Sequence, residues 1–122
     1  RIENVRGNKV EVVEGSLDIS VNKDINISSQ SNYSLSADDN IDLYSNDSIK
    51  LSTTKQTTLN NQHLFINSAE QAILQANKKI QLSIGEAMIQ SNGKQIVLQV
   101  GSSKIIIKDD TIKIQGKVEM GG

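Results

Sequence analysis

The sequence predicts an all-β fold built from a repeat of eight residues, and three observations carry this prediction. Pairs of apolar residues spaced two apart recur every eight residues along almost the whole chain. The segments between the pairs are rich in Ser, Asn, Asp, Lys and Gln, which suit exposed corners. The chain also has no proline and only 2% aromatic residues. Because proline removes a hydrogen bond from a β-ladder, its absence favours continuous strand pairing.

The apolar pairs define two frames with a slip of one residue between them. A spacing of two within each pair places both side chains on one face of a strand. The first frame contains Leu17 and Ile19, Ile25 and Ile27, Tyr33 and Leu35, Ile41 and Leu43, Ile49 and Leu51, and Thr57 and Leu59. The second frame contains Leu64 and Ile66, Ala72 and Leu74, Ile80 and Leu82, Met88 and Gln90, Ile96 and Leu98, Lys104 and Ile106, Ile112 and Ile114, and finally Met120. We expect these side chains to point into a shared interior.

The residues between the pairs predict a bend at a fixed position of every octad. In the second frame, the residue five positions after the start of each pair is Asn77, Gly85, Gly93, Gly101 or Asp109. Gly, Asn and Asp adopt a positive φ at lower cost than other residues do. Each octad therefore predicts one short strand followed by one bend.

The first sixteen residues form a related pair of octads. Val5-Arg6-Gly7-Asn8 is followed eight residues later by Val13-Glu14-Gly15-Ser16. We predict that residues 1–16 are Val-x-Gly-type octads that lead into one continuous β-helical domain over residues 17–122. Because the chain begins at Arg1 rather than at methionine, we expect it to be a fragment of a longer protein.

Composition excludes several classes of protein. The chain has no cysteine, which excludes disulfide scaffolds and thiolate metal sites. Lys plus Arg is 13 and Asp plus Glu is 14, so there is no electrostatic reason to expect nucleic-acid binding. The sequence contains no apolar run of the length that spans a bilayer and no signal segment at its start.

The low apolar content indicates that the chain shares its core with other copies. Hydrophobic residues make up 36% of the 122 residues. A single chain with three octads per turn would form a solenoid of about five coils with open strand edges at both ends. Three intertwined chains would instead close the prism around Ile and Leu pairs, in an interior too narrow for large aromatic rings. We therefore predict a homotrimeric, intertwined triple-stranded β-helix.

The octads resemble the C-terminal needle of VgrG proteins, which are the spike components of type VI secretion systems. The resemblance rests on Val5-Arg6-Gly7-Asn8, on Val13-Glu14-Gly15-Ser16 and on the Ile and Leu pairs from Leu17 onward. The segment from Gly101 to Ile114 is also similar to the distal part of that needle. Contractile phage tail spikes contain similar trimeric β-helices, so a phage needle stays open as an alternative.

The resemblance implies a rigid structural needle, not an enzyme, that sits on an injected tube, breaches a target membrane and helps to deliver effectors. It implies assembly in the bacterial cytoplasm and export by the secretion system itself. The implied partners are two further copies of the chain, a transiently contacted membrane, and a PAAR-type tip protein or an effector at the C-terminal end. A repetitive β-fibre stalk of an adhesin is an alternative from another class, but the sequence lacks the binding loops and aromatic patches that it would need.

No residue pattern predicts a catalytic, cofactor-binding or metal-binding site. His63 is the only histidine, and its position beside the inward Leu64 predicts an exposed side chain. No Gly-x-Ser-x-Gly motif is present, and the calcium-binding repeat Gly-Gly-x-Gly-x-Asp is absent. We expect exposed acids in or near corners at Asp38, Asp39, Asp42, Asp47, Asp109 and Asp110. We therefore expect no cofactor, and the missing site chemistry disfavours a monomeric solenoid enzyme.

One segment has a local preference that competes with the octads. Residues 69–79 have strong helix propensity when they are taken alone. Ala72 and Leu74 nevertheless keep the phase of the second frame. We favour a strand here, with a helical excursion as the alternative.

Three polar residues fall at inward positions of the frames. Thr57 and Gln90 could hold axial water or an anion, since buried polar groups need partners. Lys104 would be costly to bury. We therefore expect Ile105 and Ile107 to replace Lys104 and Ile106 locally, through a further slip near Gly101.

Overall fold

The structure, a computed structural model, describes residues 1–121. The predicted all-β class is confirmed, because the regular secondary structure of the described residues is a single five-stranded sheet, with no helix. The chain divides into two compact units, Arg1–Thr57 and Thr58–Gly122. The division falls inside the last apolar pair of the first frame.

The first unit bends its backbone once in every eight residues. The bends lie at residues 6–7, 14–15, 22–23, 30–31, 38–39, 46–47 and 54–55. This spacing confirms the predicted corners between the apolar pairs of the first frame, and the two Val-x-Gly octads bend at the same interval. Within residues 1–57 no two segments pair as strands, so no β-ladder forms inside this unit.

Hydroxyl side chains stabilise several of these bends. The Ser45 hydroxyl accepts a hydrogen bond from the backbone N–H of Asp47 at 3.2 Å, and the Thr53 hydroxyl accepts one from the N–H of Lys55 at 3.4 Å. In the same way, the Ser29 hydroxyl accepts a hydrogen bond from the backbone N–H of Ser31. A hydroxyl that accepts this amide closes a local turn. The serine-rich corners of the sequence therefore have a direct structural role.

The second unit continues the bends in a shifted phase before its strands begin. Bends lie at residue 62 and at residues 69–70 and 77–78. The interval from 62 to 69 is seven residues rather than eight, which confirms the predicted slip next to Leu64. Residues 69–79 form neither a helix nor a paired strand within the chain, so the helical alternative is wrong.

Five antiparallel strands follow and form one open sheet. They are β1 (Ile80–Ile84), β2 (Ala87–Ser91), β3 (Ile96–Val100), β4 (Ser103–Ile107) and β5 (Ile112–Gln115). Each strand pairs with the next one along the chain, so the order in the sheet is the order in the sequence. The turns between the strands lie at the predicted bends near residues 85, 93, 101 and 109.

Two of the connections are tight turns of two residues. Gly85-Glu86 joins β1 to β2, and Gly101-Ser102 joins β3 to β4. Gly85 and Gly101 have φ angles of 54° and 56°. A positive φ at the first central residue is what a type II′ hairpin turn requires, and glycine supplies it without strain. The backbone N–H of Gly101 also donates to the carbonyl of Glu86 at 3.4 Å, which links the two turns.

The strand register corrects part of the predicted frame. Leu82 pairs with Ile89, so Met88 and Gln90 lie on the opposite face of the sheet from Leu82. The prediction that Met88 and Gln90 continue the face of Ile80 and Leu82 was wrong. The cause is the two-residue turn, across which Ile84 pairs with Ala87. Ile84 and Ala87 are paired and three residues apart, so the face that has even-numbered residues in β1 has odd-numbered residues in β2. A strict repeat of eight would have kept even-numbered residues on that face in both strands.

The local replacement predicted around Lys104 agrees with the register. Leu98 pairs with Ile105, and Ile96 pairs with Ile107. Lys104 and Ile106 pair with Gln99 and Val97, on the other face. The strand reversal at Gly101 supplies the change of phase that the sequence indicated.

Candidate functional site

One face of the sheet carries almost only aliphatic side chains. Its central row runs across all five strands through Leu82, Ile89, Leu98, Ile105 and Ile114. The flanking rows contain Ile80, Ser91, Ile96, Ile107 and Ile112 on one side, and Ile84, Ala87, Val100 and Ser103 on the other. We refer to these residues as the aliphatic face. None of them carries a charge.

The opposite face of the sheet is largely polar. It carries Gln81, Ser83, Met88, Gln90, Val97, Gln99, Lys104, Ile106, Lys113 and Gln115. Six of its residues are half-buried, namely Met88, Gln90, Val97, Gln99, Lys104 and Ile106. On the aliphatic face, by contrast, Ile84 is 86% exposed and Leu82 is 60% exposed. The more apolar side of the sheet is thus the more open one.

This distribution favours a partner over the aliphatic face. Each square ångström of apolar surface removed from water contributes about 25 cal/mol. A sheet in water normally presents its polar face to solvent and covers the other one. Here the polar face carries mainly side chains that suit contact with water. The aliphatic face is the side of the sheet that no other described part of the second unit covers.

The first unit lacks cover for its apolar pairs as well. Ile41 and Leu43 are 51% and 69% exposed, and Ile25 and Ile27 are 59% and 68% exposed. Their exposure cannot be relieved by a ladder inside the unit, because residues 1–57 contain none. The predicted inward pairs are therefore uncovered apolar surface in the single chain.

The accessible surface of the chain leads to the same conclusion. It amounts to 13474 Å², and no described residue is buried. A folded monomer of this mass exposes roughly 6,500 Å², and its unfolded chain roughly 19,000 Å², by the usual scaling of surface with mass. The single chain is therefore short of the burial that a stable domain requires.

His63 is exposed, as the sequence predicts. Its ring centroid lies 6.3 Å from that of Phe65, with an angle of 32° between the ring planes. Phe65 is itself 83% exposed. Side chains two residues apart on a non-helical segment lie on the same side, so this contact is local and forms no pocket.

Five of the six acids predicted in or near corners lie in bends, but Asp42 lies outside them, between Ile41 and Leu43 of one apolar pair. Asp38 and Asp39 form one bend, Asp47 lies in the next, and Asp109 and Asp110 form another, all of them exposed. The last bend is closed by a hydrogen bond of 2.9 Å from the N–H of Lys108 to the carbonyl of Thr111. Over residues 1–121 no group of three or more His, Cys, Asp or Glu side chains is placed to hold a metal ion.

The three polar residues at inward positions are not brought into one site within the second unit. Gln90 and Lys104 are half-buried on the polar face of the sheet, in different rows of the register. Thr57 is exposed at the end of the first unit. A role for Thr57 or Gln90 in holding axial water or an anion stays a prediction.

Sequence analysis missed the members of the aliphatic face that lie outside the octad frame. Ile89 and Ala87 in β2, together with Ile84 and Val100 at strand ends, belong to no predicted pair. The signal that would have found them is a glycine at the start of a possible two-residue turn, at Gly85 and at Gly101. Glycine at this position is typical of β-hairpins, in which the chain reverses instead of continuing forward.

The comparisons with known proteins give no relative for this chain. It matches no family model, no curated protein and no solved structure. Among the described residues, no helix is long and apolar enough to cross a membrane. The features of this chain that bear on its function are therefore the octad repeat and the uncovered apolar surface.

Proposed function

We propose that this chain is a segment of a rigid homotrimeric spike of the VgrG type, with the structural role of a needle in a type VI secretion system. The observation that carries the proposal is the combination of a backbone bend in every octad with the absence of any buried residue among those described. A chain with this pattern needs partners for both its backbone and its apolar side chains. Three copies of the same chain can supply both.

The partner of an octad chain must share its spacing. The first unit makes seven bends at intervals of eight residues. A strand partner that stays in register over this length must bend with the same period. Another copy of the chain meets this requirement without further assumptions, and a chain of different sequence does not.

The number of copies follows from the shape of one octad. Eight residues of strand span about 26 Å, which is suitable for one side of a prism. Three such sides close the prism and remove lateral strand edges, which would otherwise template aggregation. In this trimer the apolar pairs of the first unit point inward and the serine-rich bends form the corners.

The proposed function resides in stiffness rather than in a chemical site. A closed three-chain prism pairs nearly every backbone group and cannot lose one chain without breaking the ladders of the other two. As a needle of the VgrG type, it would be assembled in the bacterial cytoplasm, driven outward with the injected tube and pressed against a target membrane. Its C-terminal end would meet a tip protein or an effector. The chain would bind no cofactor and catalyse no reaction.

The proposal is tested by replacing the parental gene in its source bacterium. One strain carries Ile41→Asp, which would place three carboxylates inside the prism. A matched strain carries Asn46→Asp, which adds a carboxylate at a bend. This substitution keeps the side-chain oxygen that accepts a hydrogen bond from the Tyr44 hydroxyl at 2.6 Å. We expect Ile41→Asp to abolish both the release of tube protein into the medium and the killing of a target strain. Asn46→Asp should leave both at wild-type levels.

Two outcomes would overturn the proposal. Wild-type tube release and killing with Ile41→Asp would show that the octads do not serve secretion. Wild-type secretion accompanied by a loss of phage infectivity would assign the chain to a phage tail spike instead.

A further inference from the structure

The two parts of the chain differ in how their backbones are satisfied. Residues 80–115 pair all five of their strands within one chain. Within residues 1–79 of the described chain no strand pairing occurs. The sheet therefore needs partners for its aliphatic face and for its two edge strands, β1 and β5, whereas the preceding residues form no backbone ladder within the chain at all.

This difference predicts that the two parts form at different times during folding. Each strand pair of the sheet is adjacent in sequence, and two of the connections contain only two residues. Contacts between near neighbours in sequence form quickly, because they require little loop closure. Pairing between separate chains must instead wait for their encounter and for a correct choice among registers. That choice is poorly specified in a regular repeat, because a shift by one whole octad gives a similar pattern.

We propose that residues 80–115 are the trimerisation module of the chain, in which the aliphatic faces of three copies pack together and set the register for residues 1–79. The inference rests on the homotrimer of the proposed function and assigns the step that starts its assembly. The occupant of the aliphatic face is the same face of two further copies.

The chemistry of the aliphatic face favours copies of itself over a different partner. The face has no charged residue that would require a complementary charge elsewhere. Its central side chains remain open, with Ile89 at 51% and Ile114 at 56% exposure. Ten or so partly exposed aliphatic side chains offer several hundred square ångströms, which approaches the roughly 800 Å² per partner of a standard interface. Lys104 and Lys113 lie on the opposite face, where they stay in contact with water.

The test compares refolding and unfolding rates of matched variants of the whole chain. Leu98→Ala truncates the centre of the aliphatic face, and Leu43→Ala makes the same truncation in an octad of the first unit. Contacts that form before the transition state slow folding when they are removed, whereas contacts that form later speed unfolding. Trimer formation after dilution from guanidinium is followed by stopped-flow light scattering over a range of chain concentrations.

We expect Leu98→Ala to slow trimer formation at least tenfold and to change the unfolding rate less than twofold. Leu43→Ala should leave the rate of formation within twofold and speed unfolding at least tenfold. The reverse pattern, or equal effects on formation, would overturn the inference. If Leu98→Ala does not assemble, the milder Ile105→Val provides the same comparison.

A second measurement needs no variant. Pulsed hydrogen exchange during refolding of the unaltered chain reports which amides gain protection first. Protection of residues 80–115 before residues 1–79 supports the inference, and simultaneous or opposite protection overturns it. Leu98→Asp adds a static test, because a trimer that still forms with this variant would show that another molecule covers the aliphatic face.

These outcomes are distinguishable from a failure of the proposed function. If the unaltered chain is a monomer, the trimer and the module fail together. If it is a trimer whose formation is slowed by Leu43→Ala and not by Leu98→Ala, the module fails and the spike proposal stands.

Discussion

Leu98 lies directly opposite Ile105 in the register between β3 and β4. Both are in the central row of the aliphatic face, and they are 37% and 38% exposed. The neighbouring Lys104 lies on the other face of the same strand, opposite Gln99. Adjacent residues of β4 therefore lie on different faces of the sheet: Lys104 is on the polar face, and Ile105 is on the aliphatic face.

The positions of Ile105 and Lys104 on opposite faces predict unequal effects for two substitutions that exchange the same residue types. In the proposed trimer, Ile105→Lys would bury an ammonium group from each chain, and an unpaired buried charge costs about 3–5 kcal/mol. We expect the dissociation constant to rise at least about a thousandfold, since each 1.4 kcal/mol is a factor of ten. Lys104→Ile should leave assembly within about tenfold of wild type, because it changes the polar face. Analytical ultracentrifugation over a dilution series measures both, and equal effects would contradict the assignment of the faces.

A second prediction concerns the turn at Gly101. With φ at 56°, this position lies in the left-handed region. An added Cβ would meet only the Glu86 carboxylate oxygen at 3.6 Å, an ordinary contact, so the backbone conformation alone should set the cost. Gly101→Ala should therefore destabilise each chain by about 1–2 kcal/mol.

Asparagine supplies the control for this turn, because it tolerates the left-handed region better than alanine does. Gly101→Asn should lose less than half as much stability as Gly101→Ala. Guanidinium denaturation at one fixed chain concentration measures the difference. A loss from asparagine as large as that from alanine would indicate that crowding rather than φ governs the position.

A third prediction concerns resistance to heat and detergent. Chains that pair with one another over many octads must separate cooperatively, so unfolding of the proposed trimer should be slow. We expect the protein to migrate as a trimer on an unheated SDS gel and as a monomer only after boiling. We also expect no thermal transition below about 60 °C, which is within the range where ordinary mesophilic domains melt. Melting below that temperature, followed by circular dichroism, would contradict an intertwined needle.

A fourth prediction concerns the exposed ion pairs. The Lys9 ammonium lies 2.8 Å from a Glu3 carboxylate oxygen, and both side chains are about half exposed. An exposed pair contributes roughly 0–1 kcal/mol and weakens as salt is added. Glu3→Gln should therefore lower the free energy of unfolding by no more than about 1 kcal/mol, and by less in high salt. Guanidinium denaturation at two salt concentrations measures both values. A larger loss would mean that this pair is buried in the assembled protein.

Much of the backbone geometry could be predicted from the sequence. The bends at residues 22–23 to 54–55, the slip beside Leu64 and the turns at Gly85 and Gly101 all lie where the octads place them. They were predictable because turn-forming residues and apolar pairs repeat at fixed positions. Residues 69–79 form no helix, although their local composition favours one. The octad repeat predicted this segment better than helix propensity did.

The pairing within residues 80–115 could not be predicted from the octads alone. A bend every eight residues is compatible with a chain that continues forward and with one that reverses, and both give the same spacing. The weak pairs Met88 with Gln90 and Lys104 with Ile106 were the places where the frame failed. The register explains them, because β2 and β4 run opposite to their neighbours and present their odd-numbered residues to the aliphatic face.

The measurement that tests the central claim most directly is the mass of the whole chain in solution, by light scattering after size exclusion. The account predicts a mass about three times the 13.3 kDa of one chain, unchanged over a hundredfold dilution. A stable monomer of 13.3 kDa would contradict it, because the uncovered aliphatic face and the octads that form no β-ladder within the chain would then have to persist in water.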